Sequence, residues 1–300
     1  ILSSLVGSEM CIRDRTYRVN DNIEIVAGTQ YNKFYGTDIG RYYLDYAGLD
    51  SNLYNNEPFG SEAGLAAMSA TTLVEYTNHY EKQDVVVQFD NVADLPGGSV
   101  QALVGVEQIE NRYSAEYDKH SEGGLVGGSA GNSGFGNRTI DSIFGEVLLP
   151  VMDNLEVTAS FRRDDYSDVG EADSFKLGAL WTPVEGTVVK FNTGEGFRAP
   201  TMDDLYGATT FSANTATDYV ACAAAGVSAA DCSSKQISTL ITANPNLGPE
   251  TSEGFTMSVE QDMGMLVDAL DGLTVRFDYY EITVMDLSLI HISEPTRLES

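Results

Sequence analysis

Apolar and polar residues alternate along much of this chain. Between 155 and 162, Leu155, Val157, Ala159 and Phe161 are separated by Glu156, Thr158, Ser160 and Arg162. Successive side chains of a strand point to opposite faces, so this segment has one oily face and one wet face. The beat recurs in Phe175, Leu177, Ala179 and Trp181, in Val189 and Phe191, in Phe255, Met257 and Val259, and in Leu273, Val275, Phe277 and Tyr279. Past Tyr279 the phase slips, with Tyr280, Ile282 and Val284 as the apolar set. That slip predicts a bulge at 279–281. Nearer the amino terminus, Ile23, Ile25 and Ala27 alternate, as do Val85, Val87 and Phe89. Residues 35–68 read as loop with one short strand. In all, about eight to ten strands are predicted.

The connections alternate between short and long. Residues 94–98 (DLPGG), 151–154 and 183–186 are short turns built from Pro, Gly, Asn and Asp. Residues 117–138 form a long Gly-rich loop and 201–249 a longer one, with 164–173 a shorter acidic loop between them. Counting strands puts every short turn at one end of the sheet and the longer loops at the other, the arrangement of outer-membrane barrels. A soluble β-sandwich has the same period of two, but does not readily place so long a loop opposite such short turns. Trp181 beside a turn, and Tyr279 with Tyr280, suit the aromatic girdles of a membrane interface as well as a core.

Composition narrows the class. With 42% hydrophobic residues, 16 Tyr and 12 Phe, the chain is too apolar and aromatic to be an acidic disordered polymer. No run of eighteen apolar residues exists, so no membrane-crossing helix is expected. The net charge of −28, with only 17 Lys and Arg among 300 residues, excludes a nucleic-acid partner. The two ends stand apart. Residues 1–15 (ILSSLVGSEMCIRDR) and 287–300 (LSLIHISEPTRLES) do not continue the alternation beside them. Both resemble translated adapter sequence found at the ends of metagenomic gene fragments, the other reading being genuine termini. The expected domain is therefore 16–286.

Two segments carry a family resemblance. Residues 192–207 read NTGEGFRAPTMDDLYG, and 244–260 read NPNLGPETSEGFTMSVE. Their order and spacing resemble the paired signatures of TonB-dependent receptor barrels, carried here by Gly196, Phe197, Arg198, Ala199, Pro200, Leu205 and Tyr206, then Asn244, Pro245, Leu247, Pro249 and Glu250. FDYYEITVMD from Phe277 resembles the strand that follows, and 90–108 resembles the mid-barrel of the same family. The resemblance implies an all-β fold, here a partial antiparallel transmembrane β-barrel, cut from a barrel of about 22 strands closed around a plug. The plug, the TonB-contacting box and the carboxy-terminal strands are expected to lie outside this sequence. The implied role is receptor and importer of a scarce nutrient (siderophore, cobalamin, saccharide or peptide) in the Gram-negative outer membrane, with its lipid and the TonB–ExbB–ExbD complex as partners and no cofactor. A passive porin or adhesin barrel is the alternative. Acidic loops weigh against a highly anionic cargo, because like charges repel. A partial sheet leaves two edges unpaired, so this segment alone is not expected to form a stable pore.

The remaining candidates are read from the residues themselves. Pro200 and Pro249 cannot donate to a ladder, so each is expected to bound a strand. Arg198 is expected to pair with a nearby carboxylate such as Glu195 or Asp203. Cys222 and Cys232 lie within the longest loop and are expected to form a disulfide in an oxidising compartment, stabilising the loop by about 2–3 kcal/mol. Asp164, Asp165, Asp168, Glu171 and Asp173 lack the regular spacing of an EF-hand and read as a solvated hairpin tip. The glycines of GGLVGGSAGNSGFG lack the Lys-Ser/Thr and helix of a phosphate loop. Tyr35, Tyr42, Tyr43 and Tyr46, with Tyr31 and Tyr54 nearby, are candidate ligand contacts, the other reading being an interfacial girdle. His79 and His120 stand without a Ser or Cys motif, so no hydrolytic centre is expected. No metal site is expected either.

Overall fold

The computed structural model describes residues 2–56, 58, 60–127 and 131–287. The elements run β1 (Leu2–Asn20), β2 (Ile23–Asp45), α1 (Tyr46–Asn55), α2 (Glu62–Ala67), β3 (Ser69–Phe89), β4 (Asp94–Leu95), β5 (Gly98–Ser99), β6 (Gln101–Tyr117), α3 (Lys119–Glu122), β7 (Val126–Gly127), β8 (Gly134–Met152), β9 (Leu155–Tyr166), β10 (Gly170–Trp181), β11 (Thr187–Arg198), α4 (Met202–Tyr206), β12 (Thr210–Ala216), α5 (Tyr219–Ala224), β13 (Lys235–Ile241), β14 (Glu250–Asp262), a 3-10 turn (Asp268–Leu270) and β15 (Thr274–Met285). One antiparallel sheet takes the long strands in chain order, β1-β2-β3-β6-β8-β9-β10-β11-β14-β15, with β7 joined to β2. Neighbours in sequence are neighbours in space, and the sheet is not closed among the described residues.

Register shows why the alternation matters. Ile25 faces Val87, which faces Val104. Farther along, Leu149, Val157, Ala179, Phe191, Met257 and Tyr279 lie opposite one another in turn. These side chains leave one face, called outer here. The other face carries the row Glu24, Gln88, Leu103, Glu146, Ser160, Lys176, Gly194, Gly254 and Ile282. In a sandwich the apolar face would be covered by a second sheet. Here Val104 is 51% exposed and Trp181 46%. The buried hydrophobic residues are few, and they sit in the loops and at strand ends, among them Met68, Val126, Met202 and Leu205. An apolar band exposed across a single sheet is what lipid requires of a barrel wall. No helix among the described residues is long and apolar enough to cross a membrane, which says nothing against strands.

Short connections gather at one end: residues 21–22, the β4–β5 hairpin, 153–154, 182–186 and 263–273. The helices α1 to α5 and the long loops gather at the other. Three expectations change. The β14–β15 ladder runs without a register shift from Thr251↔Met285 to Asp262↔Thr274, so no bulge accompanies the phase slip. Tyr280, Ile282 and Val284 instead place apolar side chains on the inner face. Residues 164–173 are mostly ladder, since Asp164 pairs with Ala172 and Tyr166 with Gly170. Residues 35–45 complete β2 rather than forming a loop. Above the band the strand's partners are aromatic and polar, so apolar alternation ceases while backbone pairing continues. Residues 2–15 pair with β2 as part of β1. That ladder is made by backbone groups, which any sequence supplies, so the pairing carries no information on the segment's origin. Residues 288–300 lie outside the described residues.

Candidate functional site: the loop-bearing rim

At the loop-bearing end, side chains from distant strands meet on the inner face. The pair of motif segments forms one anchor. β11 stops at Arg198, as the missing amide of Pro200 requires. Arg198 lies directly opposite Glu250, the first residue of β14, and their side chains form an ion pair at 2.8 Å. The expected partners Glu195 and Asp203 are therefore replaced by Glu250. The register chose it: it puts Arg198 and Glu250 side by side on the inner face, whereas Glu195, an odd number of residues away on the same strand, leaves from the outer one.

Beyond Pro200 the chain turns into α4. Thr201 accepts from the Asp204 amide while Asp204 reaches back to the Thr201 amide, a capping box that starts this short helix. Leu205 is 2% exposed and Met202 is buried beside it. Gly136 makes this docking possible, because a Cβ there would sit 2.8 Å from the Tyr206 ring. Arg138 of β8, itself buried, ties the assembly together. Its Nε donates to Asp168 at 2.9 Å and its Nη2 donates to the Pro200 carbonyl at 2.8 Å. The Tyr206 hydroxyl donates to the same Asp168 at 3.2 Å. Burial, then the Asp168 charge, pushes the Tyr206 phenol up. Tyr166 lies under the Arg138 guanidinium and meets Phe197 edge to face. Asn244 closes the base, its amide donating to the Asp204 carbonyl at 2.8 Å. Pro245 and Leu247 belong to the turn that follows, where the Asn246 amide donates to the Asn244 side chain.

Between these feet, β12 and β13 pair only with each other among the described residues, and α5 lies in the connection between them. Cys222 and Cys232 are joined there by a disulfide with Cα atoms 5.9 Å apart. The tyrosine candidates divide. Tyr42 has a left-handed backbone (φ 65°) at an irregularity between Arg41 and Tyr43. With Tyr43, Leu44, Leu65 and Met68 it lines a cleft of about 480 Å³. Tyr35 lies well below on the outer face, and Tyr46 opens α1, its amide donating to the Leu125 carbonyl. The structure thus brings Tyr42 and Tyr43 together and leaves the other two apart.

Lower on the inner face, Glu107 accepts from both Lys82 and Arg162 at 2.6 Å. Arg162 also holds Asp164 at 2.8 Å, and Ser142 donates to Asp164. The acidic residues expected as a solvated tip therefore split: Asp164 and Asp168 are buried in ion pairs, while Asp173 holds Arg163 on the outer side. The alternation placed Arg162 on the wet face but did not name Glu107 or Ser142 as partners, because these come from other strands. No group of three His, Cys, Asp or Glu suited to a metal occurs among the described residues.

A protein-family model, TonB dependent receptor-like, beta-barrel, matches residues 12–290. Among solved structures, a ferric enterobactin receptor (PfeA) mutant from Pseudomonas aeruginosa is similar at 18% identity and a TM-score of 0.57, over 94% of this chain and 35% of that one. The RagAB peptide transporter is similar at 13% identity and a TM-score of 0.56, over 95% of this chain and 30% of that one. At these identities the likeness shows the fold, and the chain spans about a third of either neighbour. No curated protein matches the sequence.

Proposed function

The chain belongs to the TonB-dependent receptor family, as part of its β-barrel, and from that premise we propose that it serves an outer-membrane importer whose loops capture a nutrient and whose passage is driven by the TonB–ExbB–ExbD complex. Members of this family are transporters, not enzymes, and their barrels reside in the outer membrane of Gram-negative bacteria. The observation that carries the reading is the anchor itself. Arg198–Glu250 joins the two feet of the longest loop, and the Arg138–Asp168 pair holds the first of them through the Pro200 carbonyl and the Tyr206 hydroxyl, on the polar side of a wall whose opposite side is apolar. A loop so fixed can reach over a mouth without detaching from it.

The cargo follows from charge. A chain at −28 repels highly anionic chelates, which favours saccharides, peptides, cobalamin or neutral to cationic chelates. One neighbour handles ferric enterobactin and another peptides, and the acidity favours the second kind of cargo. The uncharged Tyr42–Tyr43 cleft suits an aromatic or apolar part of such a cargo. The test is uptake by cells expressing the complete gene, with and without tonB. Uptake lost without tonB supports the importer. Uptake that continues unchanged means a passive channel, and no uptake with intact surface display means an adhesin.

A further inference from the structure

Above the apolar band, the inner face of β2, β3 and β6 carries a second cluster, joined to the anchor through the Tyr113–Asp203 hydrogen bond. Asp38 faces Val74, and Val74 faces Tyr117, so Asp38 and Tyr117 flank one position on the same face. Tyr113, four residues before Tyr117, donates from its hydroxyl to Asp203 at 3.1 Å. Asp203 arrives on α4, from the far side of the sheet in sequence. Tyr76 shares this face, stacked with Phe34 at a centroid distance of 5.8 Å. Gly131, from the loop after β7, presses against the Tyr117 ring: a Cβ there would lie 2.0 Å from it.

Two observations say what this cluster lacks. One carboxylate oxygen of Asp38 is fully buried and accepts no hydrogen bond among the described residues. The ion pairs among those residues include neither Asp38 nor Asp203. A buried acceptor without a donor is costly, and the cost is relieved when a donor arrives. Burial, then Asp203, pushes Tyr113 up to about 12, and burial, then Asp203 and Asp38, raises Tyr117.

We propose that Asp38, Asp203, Tyr76, Tyr113 and Tyr117 form a subsite for an organic cation, an ammonium or guanidinium group carried by the imported molecule. Carboxylates supply the counter-charge, and aromatic faces hold the apolar rim of the cation. A metal ion fits poorly. Calcium takes six to eight oxygens, and only two carboxylates converge here. The proposal rests on the importer reading but is read out by binding rather than by transport.

The test uses the receptor expressed from its complete gene and purified in detergent. It is titrated calorimetrically with arginyl-glycyl-glycine and with the citrulline counterpart, which is nearly isosteric and uncharged. The unaltered receptor is expected to prefer the arginine peptide by about tenfold. Asp38→Asn and, independently, Asp203→Asn should abolish most of that preference. Asp141→Asn, the same charge change on the outer face where Asp141 accepts from Gln108, should leave it intact. Absence of the preference in the unaltered receptor overturns the subsite. So does an equal loss in Asp141→Asn, which would reduce the effect to overall charge. Heat-modifiable electrophoretic migration identifies the variants that remain folded. Peptide preference without tonB-dependent uptake sinks the importer and spares the subsite, and the reverse result sinks the subsite alone.

Discussion

The two parts of the loop between β11 and β14 are held in opposite ways. Its feet, at 199–206 and 244–250, are short on regular structure but rich in partners on the barrel wall: Arg138, Asp168, Tyr113 and Arg198. Its arm, from β12 to β13, has a hairpin, a helix and a disulfide of its own, yet Tyr219 and Val220 remain 60% and 62% exposed. Order at a barrel rim therefore comes from side chains that reach the wall, whereas local structure alone keeps an arm intact without fixing where it points. Openings of this kind are expected to span a wide range of free energy within one loop.

The comparison breaks most sharply at Arg138. Arg138→Ala strands Asp168 as a buried carboxylate and frees the Pro200 carbonyl, costing about 3–5 kcal/mol. Limited proteolysis should then cut at the feet as readily as in the arm; cleavage still confined to the arm would show that the feet do not depend on this guanidinium. Leu205→Ala empties the best-buried apolar position of α4 and should cost about 2–5 kcal/mol. Amide exchange in α4 should accelerate, with exchange in β12 and β13 unchanged.

Replacing Cys222 and Cys232 together by Ser tests the arm in isolation. The loss is about 2–3 kcal/mol in the chain-entropy picture. It should appear as faster cleavage near 217–234 while the melting of the barrel stays the same. A lowered barrel melting temperature would mean that the arm is coupled to the wall after all. Arg198→Gln is expected to have a small effect, at most about 1 kcal/mol, because Arg198 is 71% exposed although its partner is buried. A thermal shift as large as that of Arg138→Ala would make Arg198 the principal fastening.

The smallest expected effect depends on pH. Asp118 starts α3. Burial opposes its charge, but amides of Leu73, Ser121 and His120 donate to its carboxylate and hold its pKa below the usual range. A carboxyl with a lowered folded pKa stabilises at pH above its unfolded value, about 3.9, and loses that contribution as pH falls through the folded value. Exchange at residues 119–122 should therefore rise below about pH 4. Asp118→Asn should flatten that acid response, and an unaltered response would assign it to another group.

Much of the wall was legible without coordinates. The period of two in Leu155–Phe161 or Phe175–Trp181 reports which face each side chain leaves, a purely local property, and short Pro- and Gly-bearing turns fixed which end was which. The irregular upper strands were not legible. Tyr31 to Asp45 pair through their backbones, which leave no pattern in side-chain polarity. The acidic stretch 164–173 misled for a related reason. Carboxylates read as solvent-facing until Arg138 and Arg162 arrive from other positions to neutralise Asp168 and Asp164.

The sequence by itself determined the all-β class, the two faces, the long loops opposite short turns and the paired motifs that mark the family, because each is written within a few consecutive residues. Only the tertiary structure decided that Arg198 meets Glu250, that Arg138 gathers Asp168 and Pro200 beside Tyr206, that Asp38 shares a face with Tyr117, and that Asp203 accepts from Tyr113. Those partners are set by strand order and register, and a one-residue slip in either would send the same side chains to the opposite face.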